Sequence, residues 1–390
     1  MAAQEIPAHQ LSAGKGPLAG LLVVDLSRVL AGPYATMLLA DLGARVVKVE
    51  RPGRGDDSRA YGPFVDGEST YYQHVNRGKE SVALDLAATA DRAVLLGLIE
   101  RADVLVENFR PGVMDRLGFG WEAMAARNPR LVYASVSGFG QTGPLRERPA
   151  YDAVVQSMSG IMAITGFADG APTKPGIPIA DLAGGMLTFG AVTAALVGRA
   201  RTGGGCWVDV AMFDAALSLL ENPALAVLAG QPAPARIGNA HYSIAPFDTY
   251  ACADGPVTIC AANDGFFRSL CATLGRPELA ERPAYVDNAA RDRHREVLRA
   301  DLEVALRTRP AADWLVRLEA AGVPCAPITD VPGALASEQT AVRNMVITAG
   351  DYRLPGTPMK FSAYPDPETR PVAPALDADG DRIRAEFSAG

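Results

Sequence analysis

Short apolar runs alternate with helical patterns through the first half of the chain, and this alternation constrains the fold more than any other feature. Residues 21–26 (LLVVDL) form a continuous apolar run, and further strands are predicted over 45–50, 81–85, 104–108, 131–136 and 206–211. Continuous apolar runs of this length are typical of buried parallel strands. Strands that alternate with helices predict βαβ units and an α/β fold with a large Rossmann-like parallel sheet.

The length of 390 residues is more than one ordinary core accommodates, so we expect about two domains. The pattern predicts a large α/β domain over residues 1–225 and a Pro- and Gly-rich linker over 226–245. A smaller α+β domain is expected over 246–335. The C-terminal segment 336–390 is expected to return to the large domain.

Composition argues against several classes of function. The net charge of −7 argues against nucleic acid as a partner. The four histidines lack the spacing of metal ligands, so we predict no metal site. The five cysteines contain no CxxC pair, which favours reduced thiols and a cytoplasmic protein. The uncharged stretch 182–198 is short for a membrane span and rich in Gly, so we expect a buried core helix and no membrane partner.

The loop after the first predicted strand argues against an NAD enzyme. A dinucleotide site needs GxGxxG at this point, whereas residues 27–33 read SRVLAGP. Basic side chains follow the strands instead: Arg51 follows the second strand, and Arg116 lies just beyond the segment 108–112 (NFRPG). Arginines at the carboxyl edge of a parallel sheet suit a phosphate-bearing ligand, and Phe109 suits stacking on a purine.

Asp181 stands at the start of an apolar helical stretch and is followed closely by Gly184 and Gly185. In water a carboxylate of pKa about 4 is ionised at neutral pH and can act as a nucleophile. Asp is also a favoured helix N-cap, so a purely structural role is the alternative. The residues alone leave both interpretations open.

In their order along the chain, these segments resemble the class III CoA-transferases, the family of formyl-CoA transferase and carnitine CoA-transferase. The resemblance covers nearly the whole chain, and its strongest segments are residues 28–33 (RVLAGP), 40–44, 48–53, 106–112 (VENFRPG), 138–144 (GFGQTGP), 151–156 and 180–185. It implies an interlocked homodimer with coenzyme A as substrate. Segments 55–59 and 68–72 look most like succinate–hydroxymethylglutarate CoA-transferases, which implies dicarboxylate partners and succinyl-CoA as a donor.

The resemblance also implies roles for individual residues. Asp181 matches the catalytic nucleophile of the family, which moves CoA from an acyl-CoA to a free carboxylic acid through an aspartyl anhydride and an aspartyl-CoA thioester. Arg51 and Arg116 match residues that hold CoA phosphates. Asn108 and Phe109 match contacts to the adenosine or pantetheine arm. The remaining positions that match the CoA site are Val29, Leu30 and Ala31.

Three further expectations concern the surroundings of Asp181. Gly184 and Gly185 fall in the predicted first helical turn, where unpaired N–H groups stabilise an oxyanion, with close helix packing as the alternative. His241, in the linker, is either a substrate contact or a surface residue. The family's glycine-rich active-site loop is not matched by residues 238–242, so a closing loop is not implied.

The same fold also serves α-methylacyl-CoA racemases, which are the alternative function. They carry a catalytic His just before an Asp in the segment that reads PAYD over residues 149–152 here. Tyr151 stands where that His is expected. Because a phenol of pKa about 10 is a poor base at pH 7, Tyr151 favours transfer over racemisation.

Overall fold

The computed structural model describes residues 16–388, so the first fifteen residues of the predicted large domain lie outside it. The chain divides into two compact units. Of the described residues, the first takes in 16–159, Pro175–Leu219 and 335–388, and the second takes in Gly160–Lys174 and Leu220–Ala334. The second unit thus includes residues 160–174, which the sequence-based division places in the large domain.

The described residues form thirteen strands and seventeen α-helices. In chain order the strands are β1 (Leu22–Asp25), β2 (Arg45–Glu50), β3 (Phe64–Val65), β4 (Glu68–Ser69), β5 (Glu80–Ala83), β6 (Val104–Glu107), β7 (Val132–Ser137), β8 (Cys206–Ala211), β9 (Phe247–Ala251), β10 (Pro256–Cys260), β11 (Cys325–Pro327), β12 (Val346–Ala349) and β13 (Tyr352–Pro355). The helices are α1 (Ala31–Asp41), α2 (Thr70–Asn76), α3 (Thr89–Arg101), α4 (Val113–Leu117), α5 (Trp121–Arg127), α6 (Asp152–Met158), α7 (Ile161–Ile164), α8 (Ile179–Thr202), α9 (Met212–Ser218), α10 (Glu221–Leu228), α11 (Asp264–Thr273), α12 (Asn288–Arg293), α13 (Arg295–Leu306), α14 (Ala311–Ala320), α15 (Val331–Ala336), α16 (Glu338–Val342) and α17 (Gly380–Phe387).

A six-stranded sheet in the order β5-β2-β1-β6-β7-β8 forms the centre of the first unit. Every pairing in it is parallel, which confirms the α/β prediction. The central strands are buried, as at Val23, Val47 and Val104, because helices cover both faces of such sheets, whereas most of the edge strand β8 is not buried. Since β2, β1 and β6 are neighbours, the loops after their carboxyl ends meet at one edge, where ligands bind in open α/β sheets.

The C-terminal segment belongs to the first unit. Ile383 and Phe387 on α17 are buried in the same apolar core as Leu95 and Leu98 on α3. Arg45 of β2 adds a hydrogen bond of 2.6 Å to the carboxylate of Glu386. The apolar residues of α17 therefore complete the core beneath the edge of the sheet.

The second unit has a core of its own. Its three-stranded antiparallel sheet has the order β11-β10-β9. Leu270, Leu302, Trp314 and Leu318 are buried with the apolar side chains of β10. This arrangement is an α+β unit.

Helix α8 is the longest helix of the first unit, at 24 residues. It is long and apolar enough to cross a membrane, and 33% of its most apolar 18-residue window is buried. One face packs with α1, α9 and β8. Met186, Leu187 and Val197 are exposed by 51%, 48% and 58%. The prediction of a buried core helix is therefore wrong for this face of α8.

Candidate active site

Asp181 is the third residue of α8 and does not cap it, because the helix begins at Ile179 after Pro178. The capping carboxylate belongs to Asp152, which accepts hydrogen bonds from the backbone N–H groups of Ala180 (2.9 Å) and Asp181 (3.4 Å). An acidic group that accepts these otherwise unpaired N–H groups stabilises the helix start. The interpretation of Asp181 as the helix cap is therefore wrong, and its side chain is not used as a cap.

The surroundings of Asp181 oppose its ionisation. Burial, and to a smaller extent the nearby charge of Asp152, raise the pKa of Asp181 from 3.8 to about 7. Perturbed carboxyl groups of this kind cluster at catalytic sites. Tyr71 is a neighbour that the sequence does not reveal: burial, and then the charge of Asp181, raise the pKa of its phenol, which therefore remains a hydrogen-bond donor at neutral pH.

Asp181 shares a cavity of about 170 Å³ with most of the residues that the sequence selects. The expected residues that line it are Val29, Leu30, Ala31, Asn108, Phe109 and Tyr151. They come from the loop after β1, the loop after β6 and the residue before α6. The structure therefore brings the expected nucleophile and five of the seven expected CoA-binding residues to one place.

Gly184 and Gly185 do not supply an oxyanion site, so that prediction is wrong. Both lie inside α8, where each N–H donates to the carbonyl four residues earlier. Their small size serves packing instead. A Cβ on Gly185 would lie 2.7 Å from the carbonyl oxygen of Ala31 and 3.1 Å from the ring of Tyr34. Gly185 thus lets the start of α1 approach α8 one turn below Asp181.

The start of α1 carries the unpaired donors that the glycines lack. Its N-cap is Leu30, which has no side-chain oxygen to accept a hydrogen bond. Among residues 16–388, no acceptor is found for the N–H groups of Leu30, Ala31 or Gly32. Such N–H groups, with the positive end of the helix dipole, form an anion-binding position.

A second cavity, of about 360 Å³, lies beside the first and contains Arg51. Arg28 and Phe109 line both cavities, so the two are adjacent. The other walls are mainly apolar, with Leu26, Val49, Leu84 and Leu86. Arg51 is half-exposed and lies 3.6 Å from the carboxylate of Asp57. An apolar chamber with an arginine at its rim suits a base and its attached phosphate.

Three expected residues lie elsewhere or differ from expectation in their contacts. Arg116 is exposed on α4 and lines neither cavity. His241 belongs to the second unit, where its Nδ1 accepts a hydrogen bond from the N–H of Ser243 (3.1 Å). The amide of Asn108 bonds the backbone of Arg28, through its Oδ1 (2.9 Å) and its Nδ2 (2.8 Å). Contacts of Arg116 and His241 with substrate stay predictions.

Four arginines line the Asp181 cavity that sequence reasoning missed: Arg28, Arg110, Arg146 and Arg148. Arg28 pairs with Asp57 and Arg146 with Glu147, both at 3.3 Å. No carboxylate partner of Arg110 or Arg148 is found within the described part of the chain. In the sequence, only the position of Arg110 after β6 and of Arg148 after β7, at the carboxyl edge of the sheet, indicates that they line the cavity. The same part of the chain contains no group of three or more His, Cys, Asp or Glu residues that could hold a metal ion.

Comparison with known proteins places this geometry in context. The family model for CoA-transferase family III matches residues 18–380. The chain is 52% identical to acetyl-CoA:oxalate CoA-transferase from Acetobacter aceti, over 96% of this chain and 97% of that protein. It is 38% identical to human succinyl-CoA:glutarate CoA-transferase, over 91% and 82% of the two chains. A CAIB/BAIF family protein from Brucella suis superposes with a TM-score of 0.83 at 40% identity, covering 96% of this chain and 100% of that one.

Proposed function

The chain belongs to CoA-transferase family III and is an acyl-CoA:carboxylate CoA-transferase, and we propose that Asp181 carries the transferred groups as the covalent nucleophile. The observation that carries this proposal is the position of Asp181. It is a half-buried carboxylate that does not cap its helix, and it lines the cavity beside the apolar chamber that contains Arg51. A carboxylate nucleophile divides one difficult exchange into steps of similar energy.

The reaction consists of four displacements. A carboxylate oxygen of Asp181 attacks the thioester carbon of the acyl-CoA, and the C–S bond breaks to give an anhydride and CoA thiolate. The thiolate attacks the Asp181 carbonyl, releases the donor acid and leaves an aspartyl-CoA thioester. The acceptor carboxylate displaces the thiolate to form a second anhydride. The thiolate then attacks the acceptor carbonyl, which yields the new acyl-CoA and restores Asp181.

Each displacement passes through an oxyanion, and the start of α1 supports its stabilisation. The N–H groups of Leu30, Ala31 and Gly32 are unpaired, and Ala31 lies against α8 at Gly185. Preorganised donors of this kind contribute about 10²–10³-fold to rate. The raised pKa of Asp181 also makes the carboxylate more basic, and so a better nucleophile once ionised.

The arginines support a dicarboxylate as the acid substrate. Arg110 and Arg148 line the Asp181 cavity with no carboxylate partner among the described residues. A guanidinium holds a second carboxylate by charge-assisted hydrogen bonds. Oxalate and glutarate appear in the names of two relatives. We infer that this pair of arginines contacts the distal carboxylate, with succinyl-CoA as a donor.

The exposed apolar face of α8 supports a homodimer. Met186, Leu187 and Val197 lie on it, and Leu217 and Leu219 are exposed on and after α9. Contiguous apolar surface of this kind marks interaction sites. Light scattering tests the dimer directly, and a monomer at micromolar concentration would contradict it. A cytoplasmic location stays a prediction that rests on the use of cysteine.

Isotopes test both the reaction and the nucleophile. In D₂O, the protein is mixed with a pool of acyl-CoAs and a pool of ¹³C-labelled acids, and the products are weighed by mass spectrometry. We expect ¹³C in an acyl-CoA, which identifies donor and acceptor together. Deuterium at the α-carbon without ¹³C exchange would indicate a racemase instead.

A second experiment follows oxygen. In the four displacements, one oxygen of the acceptor carboxylate becomes an oxygen of Asp181. With an ¹⁸O-labelled acceptor, we therefore expect ¹⁸O in the peptide that contains Asp181. Asp181→Ala should abolish transfer while the Kd for CoA changes little. Transfer without label at Asp181 would show that the nucleophile lies elsewhere.

A further inference from the structure

The loop after β1 contains a backbone conformation that its residue type disfavours. Val29 has φ of +68°, in the left-handed region. Among the described non-glycine residues with positive φ, Val29 is the only β-branched one. A β-branched side chain in this region is a genuine outlier that persists only where its surroundings hold it.

Four successive backbone groups of this loop are held by hydrogen bonds to three side chains. The ammonium of Lys48 donates to the carbonyl of Ser27 (2.8 Å). The side-chain amide of Asn108 accepts a hydrogen bond from the N–H of Arg28 and donates one to the carbonyl of Arg28. The carboxylate of Asp56 accepts the N–H of Val29, at 3.1 Å and 3.3 Å to its two oxygens. Asp56 is therefore the group in direct contact with the strained residue.

Asp56 is itself held rigidly. Its carboxylate pairs with Lys48 at 2.8 Å, and both side chains are 1% exposed. It also accepts the N–H (2.9 Å) and the hydroxyl (2.8 Å) of Ser58. Burial alone would raise the pKa of Asp56, but the charge of Lys48 and the bonds from Ser58 lower it overall, so the acceptor stays ionised. A carboxylate that is ion-paired and fully hydrogen-bonded has a fixed orientation, and it therefore fixes the groups that donate to it.

The residues that follow Val29 lie beside the reacting carboxyl group. Leu30 and Ala31 share the cavity with Asp181. If Val29 returned to an extended or right-handed conformation, the N–H groups of Leu30 and Ala31 would point in a different direction. The left-handed turn at Val29 thus decides where the unpaired donors of α1 are aimed.

We propose that Asp56, fixed by Lys48, is a positioning residue for catalysis that holds Val29 in the left-handed conformation and thereby aims the N–H groups of Leu30 and Ala31 at the oxygen that becomes charged during transfer. This inference rests on the proposed function of Asp181. Asp56 acts through the backbone and touches no reacting atom. Its effect is therefore expected on turnover more than on the binding of CoA.

A double-mutant cycle tests the proposal. Asp56→Asn keeps the shape of the side chain but weakens the acceptor, and we expect kcat to fall by about 10–100-fold, part of the loss seen when an oxyanion donor is removed. Glycine adopts positive φ without strain. In the Val29→Gly background, Asp56→Asn should therefore lower kcat by a much smaller factor. An equal factor in both backgrounds would overturn the proposal, because the role of Asp56 would then not run through Val29.

Controls separate positioning from folding. Asp377→Asn is the matched control, because Asp377 also accepts a backbone N–H, that of Ala83 (2.8 Å), and pairs with an arginine. It should lower Tm without lowering kcat. If Asp56→Asn does not fold, Ser58→Ala removes one support of the same carboxylate and should lower kcat in a Val29-dependent way. Independence from Val29 there would equally overturn the proposal.

The wild-type protein separates this proposal from the one on which it rests. Isotope exchange in the wild type reports transfer, and ¹⁸O at Asp181 reports the nucleophile. If either is missing, the proposed function fails. If both are present and Asp56→Asn retains kcat, only the role of Asp56 fails.

Discussion

Asp181→Asn should stabilise the protein in a pH-dependent way while it abolishes turnover. The pKa of Asp181 rises from 3.8 to about 7 on folding, chiefly through burial. Between these values the folded chain retains a proton that the unfolded chain has lost. Stability therefore falls as pH rises from about 4 to about 7, and it then levels off because both states are ionised. Asn carries no charge, so the variant escapes this loss.

The magnitude follows from the two pKa values. At 1.36 kcal/mol per pKa unit, ionising Asp181 costs about 4 kcal/mol more in the folded protein than in water. Because part of the loss is already present at pH 4.5, the stability difference between variant and wild type should change by about 3 kcal/mol between pH 4.5 and 8. For a unit of this size, that change corresponds to a Tm difference that grows by roughly 5–10 °C.

Differential scanning calorimetry of the two proteins across this pH range measures the change. Asp169→Asn, at an exposed position in the second unit, controls for the loss of one charge and should show no such trend. A Tm difference between Asp181→Asn and wild type that is the same at pH 4.5 and 8 would refute the reasoning, since Asp181 would then have an ordinary pKa.

Three other substitutions follow from the same geometry. Gly185→Ala places a methyl group 2.7 Å from the backbone oxygen of Ala31 and should lower both Tm and kcat. The control Gly204→Ala, where a Cβ meets no atom within 4 Å, should lower neither. Equal Tm and kcat in the two variants would argue against close packing as the role of Gly185. Arg51→Ala should raise the Kd for CoA by about 10-fold or more, the value of a charge-assisted hydrogen bond, and an unchanged Kd in a calorimetric titration would remove Arg51 from the site. Asp152→Asn keeps an oxygen for the N–H of Ala180 but removes the charge that helps to raise the pKa of Asp181. The acidic midpoint of the kcat–pH profile should therefore move below 7. An unmoved midpoint would mean that burial alone raises the pKa of Asp181.

The sheet was predictable because its signal is local. The strands at residues 45–50 and 206–211 have the predicted bounds, since short valine-rich runs next to glycine or proline favour strands. The helix that carries Asp181 was placed two residues late. Its cap comes from Asp152, which is distant in sequence, and no local pattern reveals a cap supplied from another loop.

The site was predictable only in part, for a similar reason. Asp181 and the loops after β1 and β6 were found because an ordered series of segments marked them. The N–H groups of Gly184 and Gly185 were misassigned because their role depends on where the helix begins. With Asp152 as the cap, α8 begins at Ile179, which leaves both glycines inside the helix. The arginines and Asp56 were missed because a charged residue in a loop has no sequence signature until the fold brings it to the cavity.

The clamped loop after β1 has a consequence for how binding energy is distributed. Fixing the backbone of one free residue costs about 1–2 kcal/mol of conformational entropy. Residues 27–29 are already fixed in the folded protein by Lys48, Asn108 and Asp56, so a ligand that arrives there has little ordering left to do. The affinity of the long CoA tail is then available to hold the thioester against Asp181, and calorimetry of CoA binding should show a correspondingly small entropic penalty.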